Sequence, residues 1–466
     1  MTQSSQAHPN LTRREAVGCD GAADTTLLLE DLKRRYKRGN RALDVSFREL
    51  VSWVRQGDQL THQIHPYPAK LLPHIAHFFV NASILRRGSA VLDPFAGSGT
   101  VALEASLADA TALVADANPL AALITKVKTT PYDSTALVES AQRLSRRVAR
   151  FRIAPTVPVV NEHLWYFQHT KQDLERLLRG IHELDDDQER DFFRVCFSVT
   201  ARRLSLADPS ISVPVRLGTK ERLSATTNKA VKAHLQWIRR ASVLEEFGRV
   251  VQANIGRVAA ANRVFPQRRQ SVTAGNDARS LTLDGLPMRS ETVHLTITSP
   301  PYGSAQKYVR SCALALNWLS LCSPSGLSAL EGKSIGREHL PAKQGAPEMN
   351  DLRLPVSLRR TLSQVLARNP HRAAITETYL YELQQAMKEL VRVTAANGHA
   401  VIVVGNNTVA GLPLRNDEFI AATLKDLGLD LELCLRDRIH SRGLLTTRNP
   451  TAGLIAGETV MLFRKP

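Results

Sequence analysis

Four consecutive residues, Ser299-Pro300-Pro301-Tyr302, carry a hydroxyl, prolyl carbonyls with no competing N–H, and a flat aromatic face. An exocyclic amine of a nucleobase would use that set. Ser299 Oγ and the Pro300 carbonyl accept its hydrogens and steer the nitrogen lone pair outward, and Tyr302 stacks on the ring. A proline-stiffened turn capped by a core tyrosine has the same four letters, so the rest of the chain must decide between the two.

A second set is Asp93-Pro94-Phe95-Ala96-Gly97-Ser98-Gly99-Thr100. Gly97 and Gly99 let backbone approach a ligand closely. The run lacks the third glycine of a dinucleotide fingerprint and the Lys-Ser/Thr pair of a phosphate loop. Asp93 would repel a pyrophosphate but suits an ammonium group. S-adenosylmethionine carries an ammonium and a sulfonium, so the carboxylate favours it. Asp116 follows Gly97 by 19 residues, the spacing at which an acid accepts both ribose hydroxyls. Asp277, in Gly275-Asn276-Asp277-Ala278, is placed to bond an adenine amine or to stabilise its own turn.

The elements that must hold these residues are legible from periodicity. Val293, Leu295 and Ile297 alternate with polar neighbours, a strand that the two prolines end. A strand over 89–92 runs into the glycine loop and a helix over 101–108. Strands over 111–115 and 271–274 lead to Asp116 and Asp277. Ligands in open α/β sheets bind at such carboxyl strand ends. A fully buried strand is expected over 400–404, and two closing strands, 430–435 and 459–463, are expected to form an antiparallel, hairpin-like edge. Helices are expected over 47–55, 71–80, 308–319, 376–395 and 417–427. The loop between the first two carries His62 and His65 and reads as a stiff, Pro-flanked cover over a ligand. His74 and His77 of the second helix bring four histidines close in sequence, but no Cys or acidic ligand accompanies them, so no metal is expected.

Composition sets the class. The chain has 466 residues, 43% of them hydrophobic, enough for one large α/β domain with an insertion or for two to three domains. Its net charge of +17 points to a polyanionic partner. Residues 192–270 hold 15 Lys/Arg against 4 Asp/Glu, so +11 of that charge lies there. Arg202, Arg203, Arg239, Arg240, Arg268 and Arg269 are the expected backbone contacts to nucleic acid. Five scattered cysteines with no CxxC pair fit a reducing cytoplasm. The polar N-terminus reads as neither signal peptide nor membrane span, so no membrane partner is expected.

Taken together, DPFAGSGT, DANP, TSPPY, HPYPAK and GETVMLFRK resemble the DNA amino-methyltransferases that modify N4 of cytosine or N6 of adenine. The resemblance covers 45–120 and 271–466, not 130–270. It implies a Rossmann-like doubly wound methyltransferase sheet (α/β) with an antiparallel edge strand and a helical insertion. It also implies S-adenosyl-L-methionine as cofactor, with Asp93, Pro94, Phe95, Gly97, Gly99, Thr100, Asp116, Asn118 and Asp277 around it. His65, Tyr67 and Lys70 of the HPYPAK motif would close over it. Within that family a serine-first SPPY is typical of cytosine-N4 enzymes. The implied reaction is direct transfer to a flipped base in double-stranded DNA, on the nucleoid in the cytoplasm, and a cognate restriction endonuclease is a candidate partner. The expected organisation is a polar arm (1–42), a cofactor-binding part (43–129), a basic helical insertion (130–270) that recognises the target, and a catalytic part (271–466) with an irregular loop at 323–372. The alternatives are N6-adenine methylation, an RNA methyltransferase of the same fold, an idle nucleic-acid-binding subunit and, weakest, an NAD-dependent oxidoreductase.

Overall fold

The computed structural model describes residues 24–51, 60–85, 88–303, 307–340, 352–438 and 457–466. The alternation of apolar strand and helix builds one eight-stranded sheet. Its members are β1 (Leu43–Val45), β2 (Ala90–Asp93), β3 (Thr111–Val114), β4 (Val272–Thr273), β7 (Val293–Thr298), β8 (Thr394–Val404), β11 (Asp430–Arg438) and β12 (Gly457–Arg464). Two small hairpins complete the set, β5 (Thr282–Leu283) with β6 (Leu286–Pro287) and β9 (Asn407–Val409) with β10 (Leu412–Leu414). The sheet order is β1-β11-β12-β8-β7-β2-β3-β4. β12 runs antiparallel to both of its neighbours, and every other pairing in the sheet is parallel.

Strand order reverses between β2 and β7. From β2 the chain steps outward to β3 and β4, then returns to β7 on the other side. That reversal opens a crevice at the carboxyl ends of the two strands. The antiparallel strand expected at the edge is present as β12, but it lies inside the sheet. It pairs with both β8 and β11, and the short run Leu43–Val45, too few residues to read as a strand, adds β1 in parallel beyond β11.

The segment expected as a polar arm contains a helix, Thr26–Gly39, whose Leu29 and Leu32 are buried in the core with Leu433 and Leu435. Its Lys33 pairs with Glu432 at 3.1 Å. The rest of that arm, residues 1–23, and residues 52–55 of the expected helix over 47–55 lie outside the described residues. The insertion is helical, with Ser134–Val148, Gln168–His182, Asp187–Arg203, Ala225–Arg240 and Val243–Val264. The apolar faces of four of these helices, all but Ala225–Arg240, share one cluster with Tyr67, Leu120 and Trp318, so they pack against the helices Pro119–Thr129 and Tyr308–Trp318. The stretch 323–372 is more regular than expected. Leu327–Lys333 and Val356–Arg368 are helices, and Leu358, Leu362 and Val365 are buried; residues 341–351 lie outside the described residues.

Candidate active site at the reversal of the sheet

β2 ends on Asp93, which is 4% exposed. Next to it, Thr298 at the end of β7 donates its hydroxyl to Asp93 Oδ1 at 2.6 Å, and the Phe95 N–H reaches the same oxygen at 3.2 Å. The two motifs read separately in the sequence, DPFAGSGT and TSPPY, therefore meet at the reversal.

The glycine loop turns through two left-handed residues, Gly97 at φ 51° and Gly99 at φ 71°. A Cβ on Gly99 would lie 2.6 Å from Thr125 Oγ1, so glycine is required there on both counts. Thr100 begins the following helix, Thr100–Leu107. Asp116, just past β3, takes the Gly97 N–H on Oδ2 and the Asn118 N–H on Oδ1, both at 2.8 Å. Asn118 then caps the helix Pro119–Thr129 through the Leu120 N–H, with Pro119 at its first position. The Asn118 amide also donates to the Tyr67 hydroxyl at 3.1 Å. The Tyr67 ring lies 3.6 Å from the position of a Cβ on Gly97. Tyr67 of HPYPAK thus lies against the glycine loop.

The other two residues assigned from that motif sit differently. The Lys70 ammonium donates to the carbonyls of His62 and His65, at 3.0 and 2.6 Å, and so ties the loop to itself. His65 is buried; burial, then Lys70 and Lys128, lower its ring to about 3 and keep it neutral. The neighbouring histidines serve the core. His62 and His77 grip the buried Glu104 carboxylate at 2.7 and 3.0 Å. Among the described residues no group of three or more His, Cys, Asp or Glu is placed to hold a metal ion.

Electrostatics mark the crevice. Burial pushes Asp93 up to about 7, with the Asp116 charge adding to it, and burial pushes Asp116 up to about 6. No cationic side chain among the described residues compensates either one. Two desolvated acids flanking a glycine loop suit a ligand that brings positive charge and hydroxyl donors. An ammonium and sulfonium with a ribose supply both, so the residues present fit S-adenosyl-L-methionine.

On the other wall, Ser299 and Tyr302 face each other, Ser299 Oγ lying 3.4 Å from the Tyr302 hydroxyl. Tyr302 packs at the border of the same cluster as Phe95. The turn is fixed by residues that sequence reasoning did not find. Tyr379 donates to the Pro301 carbonyl at 3.0 Å, and the Asn407 amide to the Gly303 carbonyl at 2.7 Å. The Asn416 amide holds Asn407 Oδ1 and the Gly405 carbonyl, both at 2.9 Å. Tyr302 in turn donates to Glu458 at 3.1 Å.

Asp277 stabilises its own turn, accepting the Arg279 N–H at 2.9 Å. Its two oxygens are engaged by Arg279, which also binds Glu382. Of the arginines, Arg203, Arg239, Arg240 and Arg269 are exposed, and Arg239 stacks over Phe167. Arg202 is turned to the carbonyls of Asp208 and Ile211. Arg268 is corrected outright: at 2% exposure, bonded to the Thr130 carbonyl and Asn262, it has no surface to offer a phosphate.

Residues 63–139 match the family described as UPF0020: RMKL-like, methyltransferase domain. Over 418 residues the chain is 22% identical to Type II methyltransferase M.MvaI of Kocuria varians, which spans 84% of this chain and 87% of that protein. It is 33% identical over 90 residues to Type II methyltransferase M.MjaII of Methanocaldococcus jannaschii, 19% of this chain and 16% of that one. A Thermus thermophilus protein assigned as a DNA modification methylase, solved with S-adenosyl-L-methionine, superposes with TM-score 0.20 at 20% identity, over 38% of this chain and 50% of that chain.

Proposed function

We propose, from the premise that this chain is a relative of the Type II DNA methyltransferases with S-adenosyl-L-methionine as its cofactor, that it methylates the N4 amine of cytosine in double-stranded DNA. The observation that carries the reading is the Thr298–Asp93 hydrogen bond, 2.6 Å long, which joins the SPPY turn to the glycine loop. Amine-binding and cofactor-binding residues then line one crevice.

When bound, S-adenosyl-L-methionine supplies an electrophilic methyl group. Asp93 would hold its ammonium end and Asp116 its ribose, while the glycine loop would admit it and Tyr67 would shield it. Pro94, Phe95, Thr100 and Asn118 hold the loop and its flanks in shape. The target cytosine leaves the duplex, at a cost of about a few kcal/mol, to enter the crevice. Ser299 Oγ and the Pro300 carbonyl accept the amine hydrogens, and Tyr302 stacks on the ring. Pro301 is pinned through its carbonyl by Tyr379, so the turn is rigid before substrate arrives. Such pre-positioning, with dipoles already aimed, supplies the acceleration. The exposed arginines Arg203, Arg239, Arg240 and Arg269 support a DNA backbone contact. A restriction endonuclease of matching sequence specificity remains a proposed partner, argued from the relatives' type alone.

Product identification tests the reading. The purified chain is incubated with cofactor and mixed-sequence duplex DNA, and the digested nucleosides are weighed by mass spectrometry. N4-methylcytosine is expected. N6-methyladenine keeps the site and overturns the base assignment, and transfer to RNA alone overturns the DNA assignment.

A further inference from the structure

Tyr302 is held from behind by a residue that no motif reading assigned a role. Its hydroxyl lies between Ser299 Oγ at 3.4 Å and Glu458 Oε1 at 3.1 Å. Glu458 stands near the start of β12, the antiparallel strand, and pairs across the ladder with Asp437 of β11. Asp437 is buried, at 8% exposure. Two carboxyl groups therefore stand together behind the tyrosine, the Glu458 one 156 residues from it in sequence.

The methyl-transfer reading, on which this inference rests, creates a need at this spot. The amine nitrogen uses its lone pair to bond the methyl carbon; the carbon–sulfur bond breaks and its electron pair stays on sulfur. The nitrogen then carries one proton too many. A serine hydroxyl relays a proton but does not store one near neutral pH. We propose that Glu458 is the terminal acceptor of that proton, reached through Ser299 and Tyr302. The amine proton passes to Ser299 Oγ, the serine proton to the Tyr302 oxygen, and the tyrosine proton to the Glu458 carboxylate. Glu458 ends as a neutral carboxylic acid and returns the proton to solvent before the next turnover. It touches neither base nor methyl donor and acts through Tyr302.

The surroundings suit an acceptor. Asp437 pairs with Glu458 from β11, with Arg436 next to it in that strand. From the helix Asn416–Asp426, Asp417 lies 3.5 Å from the hydroxyl of the adjacent Thr459. Burial, with the Asp437 charge, raises the Glu458 carboxyl above its ordinary range, so its ionised form takes a proton more readily than an exposed glutamate does.

The test uses the full chain, duplex DNA and labelled S-adenosyl-L-methionine. Single-turnover transfer is followed from about pH 5 to 9 for wild type, Glu458→Gln, Glu458→Asp and Tyr302→Phe, with cofactor Kd measured beside it. Glu458→Gln can still accept the tyrosine hydrogen bond but cannot take the proton. It is expected to keep Kd within about twofold, to lose roughly a hundredfold in rate, and to lose the acid limb of the pH profile. Tyr302→Phe should lose that limb too, and Glu458→Asp should recover part of the rate. A Glu458→Gln enzyme with the wild-type rate and acid limb overturns the relay. So does one that loses cofactor binding along with transfer, which would make Glu458 part of the pocket's architecture. An inert wild type overturns the methyl-transfer reading and the relay with it.

Discussion

Asp93 and Asp116 are placed where carboxylates are costly. Both lie above their ordinary value of 3.8, at about 7 and about 6, because burial strips their water. For an acid raised in this way, ionisation costs the folded chain stability as pH climbs from about 4 to 7. A bound cation reverses the sign, since it favours the ionised form. Cofactor affinity is therefore expected to strengthen about tenfold from pH 6 to pH 8, and Asp93→Asn should bind more weakly with a flatter profile over that range. Calorimetric titration at a series of pH values checks this; a wild-type Kd independent of pH would count against the assignment. At Gly99, φ of 71° and a Cβ position 2.6 Å from Thr125 leave no room for a side chain. Gly99→Ala should cost about 1–3 kcal/mol in urea unfolding. An unchanged midpoint would mean the loop relaxes freely.

At the scale of elements, what was legible was local. The Asp93–Thr100 run and the SPPY strand end each fit within one strand and its turn, the Asp116 spacing spans a single helix and strand, and the structure joins them at one crevice. What was not legible came from far away in the chain. Tyr379 reaches Pro301 across 78 residues, and Asn407 reaches Gly303 across 104, spans over which no periodicity or turn chemistry carries information. The hairpin of β5 and β6 was missed for another reason. Its strands are two residues each, though Asp284-Gly285, both at positive φ, is a strong two-residue turn signal. The segment holding Thr26–Gly39 reads as an arm or a short helix, and its basic run hides the apolar face of Leu29 and Leu32 that makes it core. That face is core, so Leu29→Ala should destabilise the chain by about 2–5 kcal/mol. Thermal unfolding measures it, and a variant with the wild-type Tm would return this segment to the status of an arm.

Across the whole molecule, charge and chemistry are divided. The crevice is lined by acids, and 11 of the 17 net positive charges fall within residues 192–270. Arg239 and Arg240 end the helix Ala225–Arg240, in which Ile238 is the one buried residue. Replacing both by Ala should weaken DNA binding at all sequences and lower the salt slope by up to about 2, without altering cofactor Kd. An unchanged slope in a salt titration would remove that helix from the interface. The central claim is that methyl transfer occurs where the SPPY turn meets the glycine loop, and Ser299→Ala tests it most directly. Transfer from labelled S-adenosyl-L-methionine to duplex DNA and cofactor Kd are measured on the same preparation. The account predicts a loss of about a hundredfold or more in transfer, with Kd within about twofold of wild type. Transfer at the wild-type rate, or cofactor binding lost together with transfer, would contradict it.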